Sequence, residues 1–148
     1  MLPQIKIITV GKLKDSSIKS RENNYLKRFN RDLEFIELKK SGRNIEEENN
    51  LILEKITTFN SNWRKVFLTE KGKLLDSIQF ADNINSKSHL NHLFIIGGSY
   101  GFNKKTLETA DLLLSLSPLT FPHQVARLIL VEQLYRSQTI INKHPYHH

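Results

Sequence analysis

The stretch 92-HLFIIGGSYG-101 decides the fold. An unbroken apolar run ends in two adjacent glycines. A strand with one wet face alternates apolar and polar residues; this one does not, so both of its faces must be covered. The run 112-LLLSL-116 has the same character. Strands of this kind belong to a parallel sheet clad by helices.

The rest of the chain agrees. Gln4–Val10 alternates and is closed by Gly11, and Leu33–Leu38 alternates again. Val66–Leu68 is a short third strand, His92–Ile96 the fourth and Leu112–Leu116 the fifth. Between them, the spacing predicts helices over Ser16–Arg31, Asn44–Phe59, Ser77–Ile84 and Lys104–Ala110, with a last one over His123–Ile141. Asp15 or Ser16 serves as first N-cap, and three acids crowd the start of the second helix, where the dipole favours them. There is no internal repeat, linker or low-complexity segment. The expectation is one α/β domain over residues 1–148, its mostly parallel sheet carrying helices on both faces.

Composition narrows the function classes. The chain has 148 residues and no cysteine. A disulfide frame and a thiolate zinc site are therefore excluded, which fits a reducing, cytoplasmic setting. No apolar run approaches the ~20 residues that span a bilayer. Met1-Leu2-Pro3-Gln4 leads straight into a strand-like segment, so neither a signal peptide nor a membrane partner is expected. The formal charge of +7 is uneven. Residues 1–43 hold 11 Lys/Arg against 5 Asp/Glu, and the remaining residues hold 11 against 10. The excess lies at Lys12, Lys14, Lys19, Arg21, Lys27, Arg28, Arg31, Lys39, Lys40 and Arg43. It reads either as a surface for phosphate backbones or acidic membranes, or as a solvated lysine-rich face.

Ligands of parallel sheets bind beyond the carboxyl ends of the strands. Three loops sit there: 68-LTEKGK-73, 97-GGSYG-101 and 115-SLSPLTFPH-123. The glycines admit close approach to backbone, but GGSYG is neither a GxGxxG turn nor a Walker A loop. Pro118 and Pro122 stiffen the third loop, which presents its backbone groups to a flat heterocycle or simply aims the last helix. His123 and Arg127 share one face at that helix's N-terminus. They suit an anion there, or else a self-capping His beside a rim Arg. The helix itself is apolar nearly all round, from Val125 to Tyr135, and so belongs to deep core or a subunit interface. The tail 144-HPYHH-148 lacks an accompanying carboxylate or cysteine cluster, so no metal site is expected.

Taken in order, 96-IGGSYG-101, 115-SLSPLTFPHQVARLILVEQLYR-136 and 144-HPYHH-148 resemble the small ribosomal-RNA methyltransferases of the SPOUT class, which use S-adenosylmethionine. The start, 5-IKIITVGKLKD-15, matches as well, so the resemblance covers essentially the whole chain. It implies a SPOUT fold with a deep trefoil knot near the C-terminus, a connection that packing rules alone never offer. It also implies a homodimer and N3-methylation of a pseudouridine in helix 69 of 23S rRNA within the ribosome. A non-catalytic RNA- or ribosome-binding module of the same fold, and a SPOUT enzyme acting on tRNA, are the alternatives. The family's cofactor contacts carry over to Leu68, Gly97, Leu116, Ser117, Pro118, Leu119, Thr120 and Phe121.

Methyl transfer from a sulfonium is an in-line displacement governed by positioning. The imide N3–H of pseudouridine must lose its proton, which calls for a base or for a cation beside the anionic ring. His123, Arg127, Tyr146 and His147 are the catalytic candidates. Arg127 would steady the imide anion or grip a phosphate, and a neutral His or Tyr would relay the proton. Where the family usually ends in Arg or Lys, His148 stands, so a grip on RNA there depends on its protonation.

Overall fold

Strands and helices alternate along the chain in the computed structural model, which describes residues 3–40 and 43–148. Met1 and Leu2, the head of the lead-in to the first strand, lie outside the described residues. The elements are β1 (Ile5–Val10), α1 (Ser16–Leu26), β2 (Leu33–Leu38), α2 (Ile45–Ile56), β3 (Trp63–Leu74), α3 (Ser77–Ser86), β4 (Asn91–Ile96), α4 (Lys104–Leu107), β5 (Leu112–Ser115) and α5 (His123–Ile141). All strand pairs are parallel, in the order β2-β1-β4-β3-β5.

Side-chain oxygens start most of the helices. Asp15 accepts from the N–H groups of Ser17 and Ile18, and Asn44 from that of Glu47. Asp76 and Gln79 form a reciprocal capping box, and Asn103 takes the N–H of Thr106. Each satisfies a donor the first turn leaves orphaned, a contribution of about 1 kcal/mol. One face of the sheet packs Ile5, Ile7, Val66, Phe94 and Ile96 under α1, α3 and α5. The other packs Ile8, Phe67, Leu93 and Ile95 under α2 and α4. Ile7, Ile8, Phe67 and Ile95 are wholly buried, so the central strands are clad on both faces.

Three helix boundaries fall short of expectation for one reason. α1 ends at Leu26 instead of Arg31, α2 at Ile56 instead of Phe59, and α4 at Leu107 instead of Ala110. In all three places i→i+3 bonds replace the helical ones, from Phe29 N–H to Leu26, from Phe59 N–H to Ile56 and from Ala110 N–H to Leu107. The tightened turn still delivers Phe29, Phe59 and Ala110 to the core, so apolar spacing alone could not distinguish it from helix. β5 is an edge strand with Leu112 and Leu113 only half-buried, since the sheet closes there with no further strand to cover it.

β3 differs most, running to Leu74 where only Val66–Leu68 was expected. Leu114 of β5 faces Leu68 and also Lys73, so residues 69–72 bulge out of the ladder. Gly72 makes this possible: a Cβ there would stand 2.6 Å from the backbone carbon of Leu113. Backbone cannot swing aside as a side chain can. Gly72→Ala is therefore expected to destabilise by about 1–3 kcal/mol, the range for overpacking, read from a denaturant melt.

Candidate active site

The bulge of β3, the glycine loop after β4 and the proline loop after β5 meet at the carboxyl edge of the sheet. They enclose a cleft of about 520 Å³, within the range that holds a cofactor-sized ligand. Its walls are apolar at Leu68, Ile96, Leu116 and Phe121, with Thr69, Glu70 and Thr120 adding a few polar groups. Thr120 Oγ1 donates to Glu70 Oε1 over 3.4 Å, tying the β5 loop to the β3 bulge. Ser117 Oγ accepts from the N–H of Leu119 at 3.0 Å and holds the proline loop in shape. The glycine loop is anchored from beneath. Asn49 of α2 is wholly buried, donates to the carbonyl of Gly101 at 3.0 Å and accepts from Asn103 N–H at 2.9 Å.

The residues expected at a cofactor mostly converge here. Leu68, Gly97, Leu116, Ser117, Leu119, Thr120 and Phe121 line the cleft, whereas Pro118 does not. An apolar slot with a few hydroxyls, floored by a glycine where a side chain would intrude, fits the adenosine and methionine parts of S-adenosylmethionine.

The four catalytic candidates do not come together. His123 lines the cleft, half-buried at the first turn of α5, whose N-cap Pro122 offers no side-chain bond. Arg127 is turned inward, which departs from the expectation that it meets the substrate. Its Nε and Nη2 donate to Glu22 at 2.8 and 3.0 Å, and its Nη1 donates to Glu37 at 2.8 Å. Its guanidinium lies 3.8 Å from the Phe35 ring centre, and only 6 % of the residue is exposed. Burial opposes its charge, but the hydrogen bonds it donates to Glu22 and Glu37 outweigh that and raise its pKa. Three donors spent on two carboxylates leave little for a substrate, so Arg127 locks α5 onto α1 and β2.

Tyr146 and His147 lie elsewhere. Tyr146 donates its hydroxyl to Glu132 at 3.1 Å under the Arg136 guanidinium, and His147 Nδ1 sits 3.0 Å from Arg136. Arg136 is thirteen residues beyond His123 on the same helix, about 20 Å at helical rise. Burial first, then the Glu132 charge, pushes the Tyr146 phenol up to about 12. Its hydroxyl is a donor to Glu132 in this arrangement.

Glu37 carries a testable sign. Burial raises its pKa, yet the hydrogen bonds from Arg127 and from Leu13 N–H leave it lowered overall. A depressed carboxylate stabilises above its unfolded pKa, and that share is lost as pH falls through the folded value. Glu37→Gln is thus expected to melt lower than wild type at pH 7, with the gap closing below about pH 4. A gap that persists in acid would dissociate Glu37 from the clamp.

Comparison with known proteins accords with this geometry. The family model described as "Predicted SPOUT methyltransferase" matches residues 3–147. The chain is 40 % identical to the ribosomal RNA large subunit methyltransferase H of Acholeplasma laidlawii, over 97 % of its own length and 99 % of that protein's. It is also 40 % identical to the protein of that name from Acetivibrio thermocellus, with the same coverage. Among solved structures, a probable methylase family protein from Haemophilus influenzae superposes with a TM-score of 0.62 at 9 % identity, covering all of this chain and 72 % of that one. The SpoU methyltransferase AviRb from Streptomyces viridochromogenes, in complex with AdoMet, superposes at 0.53 and 10 % identity, covering 93 % of this chain and 59 % of that one.

Proposed function

The chain belongs to the SPOUT methyltransferase family, and from that premise we propose that it methylates 23S rRNA on the ribosome, at N3 of a pseudouridine in helix 69. The full-length match to relatives named for large-subunit rRNA methylation supports the choice of ribosomal RNA over the tRNA alternative. S-Adenosylmethionine, held by the walls at Leu68, Gly97 and Leu116–Phe121, supplies an electrophilic methyl group. This chain's task is to orient the base and manage its proton. His123, at the cleft and next to the dipole of α5, is the group placed to touch the reacting base.

The separation of Tyr146 and His147 from the cleft carries the homodimer in this proposal. Within one chain the tail and the pocket are held about 20 Å apart by a rigid helix. A second copy brings a tail to the cleft and covers Leu119 and Tyr100, exposed at 70 % and 46 % on its rim. Leu128 and Ile129 of α5 are half-exposed and suit the same role. The deep C-terminal knot and a cytoplasmic location beside its ribosomal substrate belong to the same reading.

Ribosomes lacking the modification, incubated with this protein and methyl-labelled S-adenosylmethionine, are expected to take label into helix 69. No label in any RNA would leave a binding module, and label in tRNA alone would move the substrate. Shared sites make a sharper forecast. A His123→Ala chain and a chain shortened to residue 144 are each expected to be inactive. Mixed after subunit exchange, they form one intact site in half of the dimers, restoring roughly a quarter of wild-type activity.

A further inference from the structure

A second polar site lies at the opposite pole of the sheet, under the amino ends of the strands. A cleft of about 120 Å³ opens there, lined by Asn30, Arg31, Ser88, Gln138 and Asn142 among others. Arg31 enters it with Nε and Nη1 buried and without a hydrogen-bond partner among the described residues. Beneath, His92 of β4 is 0 % exposed, and neither of its ring nitrogens has a partner among those residues. Arg64 of β3, paired in register with His92, is 7 % exposed. The acid whose charge reaches Arg64 is Asp111, whose Oδ2 already accepts from Lys65 N–H at 2.7 Å.

Cations at this pole have an ordinary explanation, because α1, α3 and α5 all end here and their carbonyl ends attract positive charge. Other cations stand at these ends: Lys27 and Lys87 occupy the C-cap positions of α1 and α3, and Lys143 follows the Asn142 cap of α5. Arg31 bonds none of the helix-end carbonyls. Leaving buried donors unpaired costs about 1–3 kcal/mol each, so three converging basic groups, of which only Arg64 feels an acid among the described residues, point to an anion.

We propose that this pole is a phosphate site, in which Arg31 donates through Nε and Nη1, with the Asn and Gln amides and the Ser88 hydroxyl at the rim and the Arg64 and His92 pair beneath. The volume suits a tetrahedral oxyanion and is too small for a nucleoside. Either free phosphate or a backbone phosphate of RNA presents the same three-oxygen face. The inference stands apart from the methyl-transfer reading, since the two clefts share no residue. Burial and then the charges of Arg64, Arg31 and His89 hold His92 down at about 4; a bound anion offsets those charges and raises it.

The test titrates inorganic phosphate into the full chain and follows the Arg31 Nε–H and His92 ring resonances. Saturable shifts with an upward His92 titration midpoint are expected. Arg31→Gln and the rim variant Ser88→Glu should each weaken binding at least tenfold while leaving S-adenosylmethionine affinity unchanged. Shifts that stay linear with phosphate, or saturate equally in both variants, overturn the site. A short single-stranded RNA that displaces phosphate identifies the backbone as the source. RNA without effect on a saturable phosphate response identifies the free ion.

Discussion

Arg127→Ala is expected to lower the melting temperature by roughly 6–20 °C. Removing one partner of a buried ion pair costs about 3–5 kcal/mol, and each kcal/mol shifts a domain of this size by about 2–4 °C. The cost arises at Glu22, which is 3 % exposed and would keep a buried carboxylate with no cation. Replacing both charges removes that penalty, so Glu22→Gln combined with Arg127→Met should recover most of the loss. Melts at one fixed protein concentration decide it, because the midpoint of a chain that self-associates, as proposed above, varies with concentration. A variant that melts like wild type but no longer transfers methyl would return Arg127 to the substrate.

Gly97→Trp is expected to weaken S-adenosylmethionine binding by about 100-fold or more, equivalent to at least ~2.7 kcal/mol. A Cβ at Gly97 already meets the Phe102 ring at 3.2 Å, and Gly97 lines the cleft, so an indole there competes with the cofactor for space. Calorimetric titration reads the affinity, and a melt confirms that the chain still folds. The melt matters because Phe102, the ring that a side chain here would press on, packs against Phe67 of the core. Unchanged affinity would remove this cleft from the cofactor's path, and with it the role given to Leu116–Phe121.

Much of this was legible in the chain itself. The non-alternating run at Leu93–Ile96 demanded cover on both faces, and α2 and α5 supply it. α5 begins at His123 and ends at Ile141, as its spacing and the preceding proline required. The three loops named from glycines, prolines and strand ends line one cleft. These features are local: period, capping chemistry and restricted φ act within a few residues.

The clamp was not legible. Arg127 lies 105 residues from Glu22 and 90 from Glu37, and a His–Arg spacing of four says nothing about which acids await. Thr69-Glu70-Lys71 looked like the end of a short strand, because the bulge exists only in relation to β5. His92 read as one more residue of an apolar run, and Arg31 as one of a basic excess that suited either phosphate or acidic membrane surfaces or a solvated face.

The sequence by itself determined the order of elements, the two-sided cladding of the sheet and the loops that would hold a ligand. The tertiary structure alone decided which charges are spent and which remain available. It turned Arg127 inward onto two acids, parted Tyr146 and His147 from the cleft, and left two Arg31 nitrogens and both His92 ring nitrogens buried without hydrogen-bond partners among the described residues. The reason is range. Helical and strand periods repeat over a few residues, whereas the free energy of a charge depends on whatever the fold brings within a few ångströms of it.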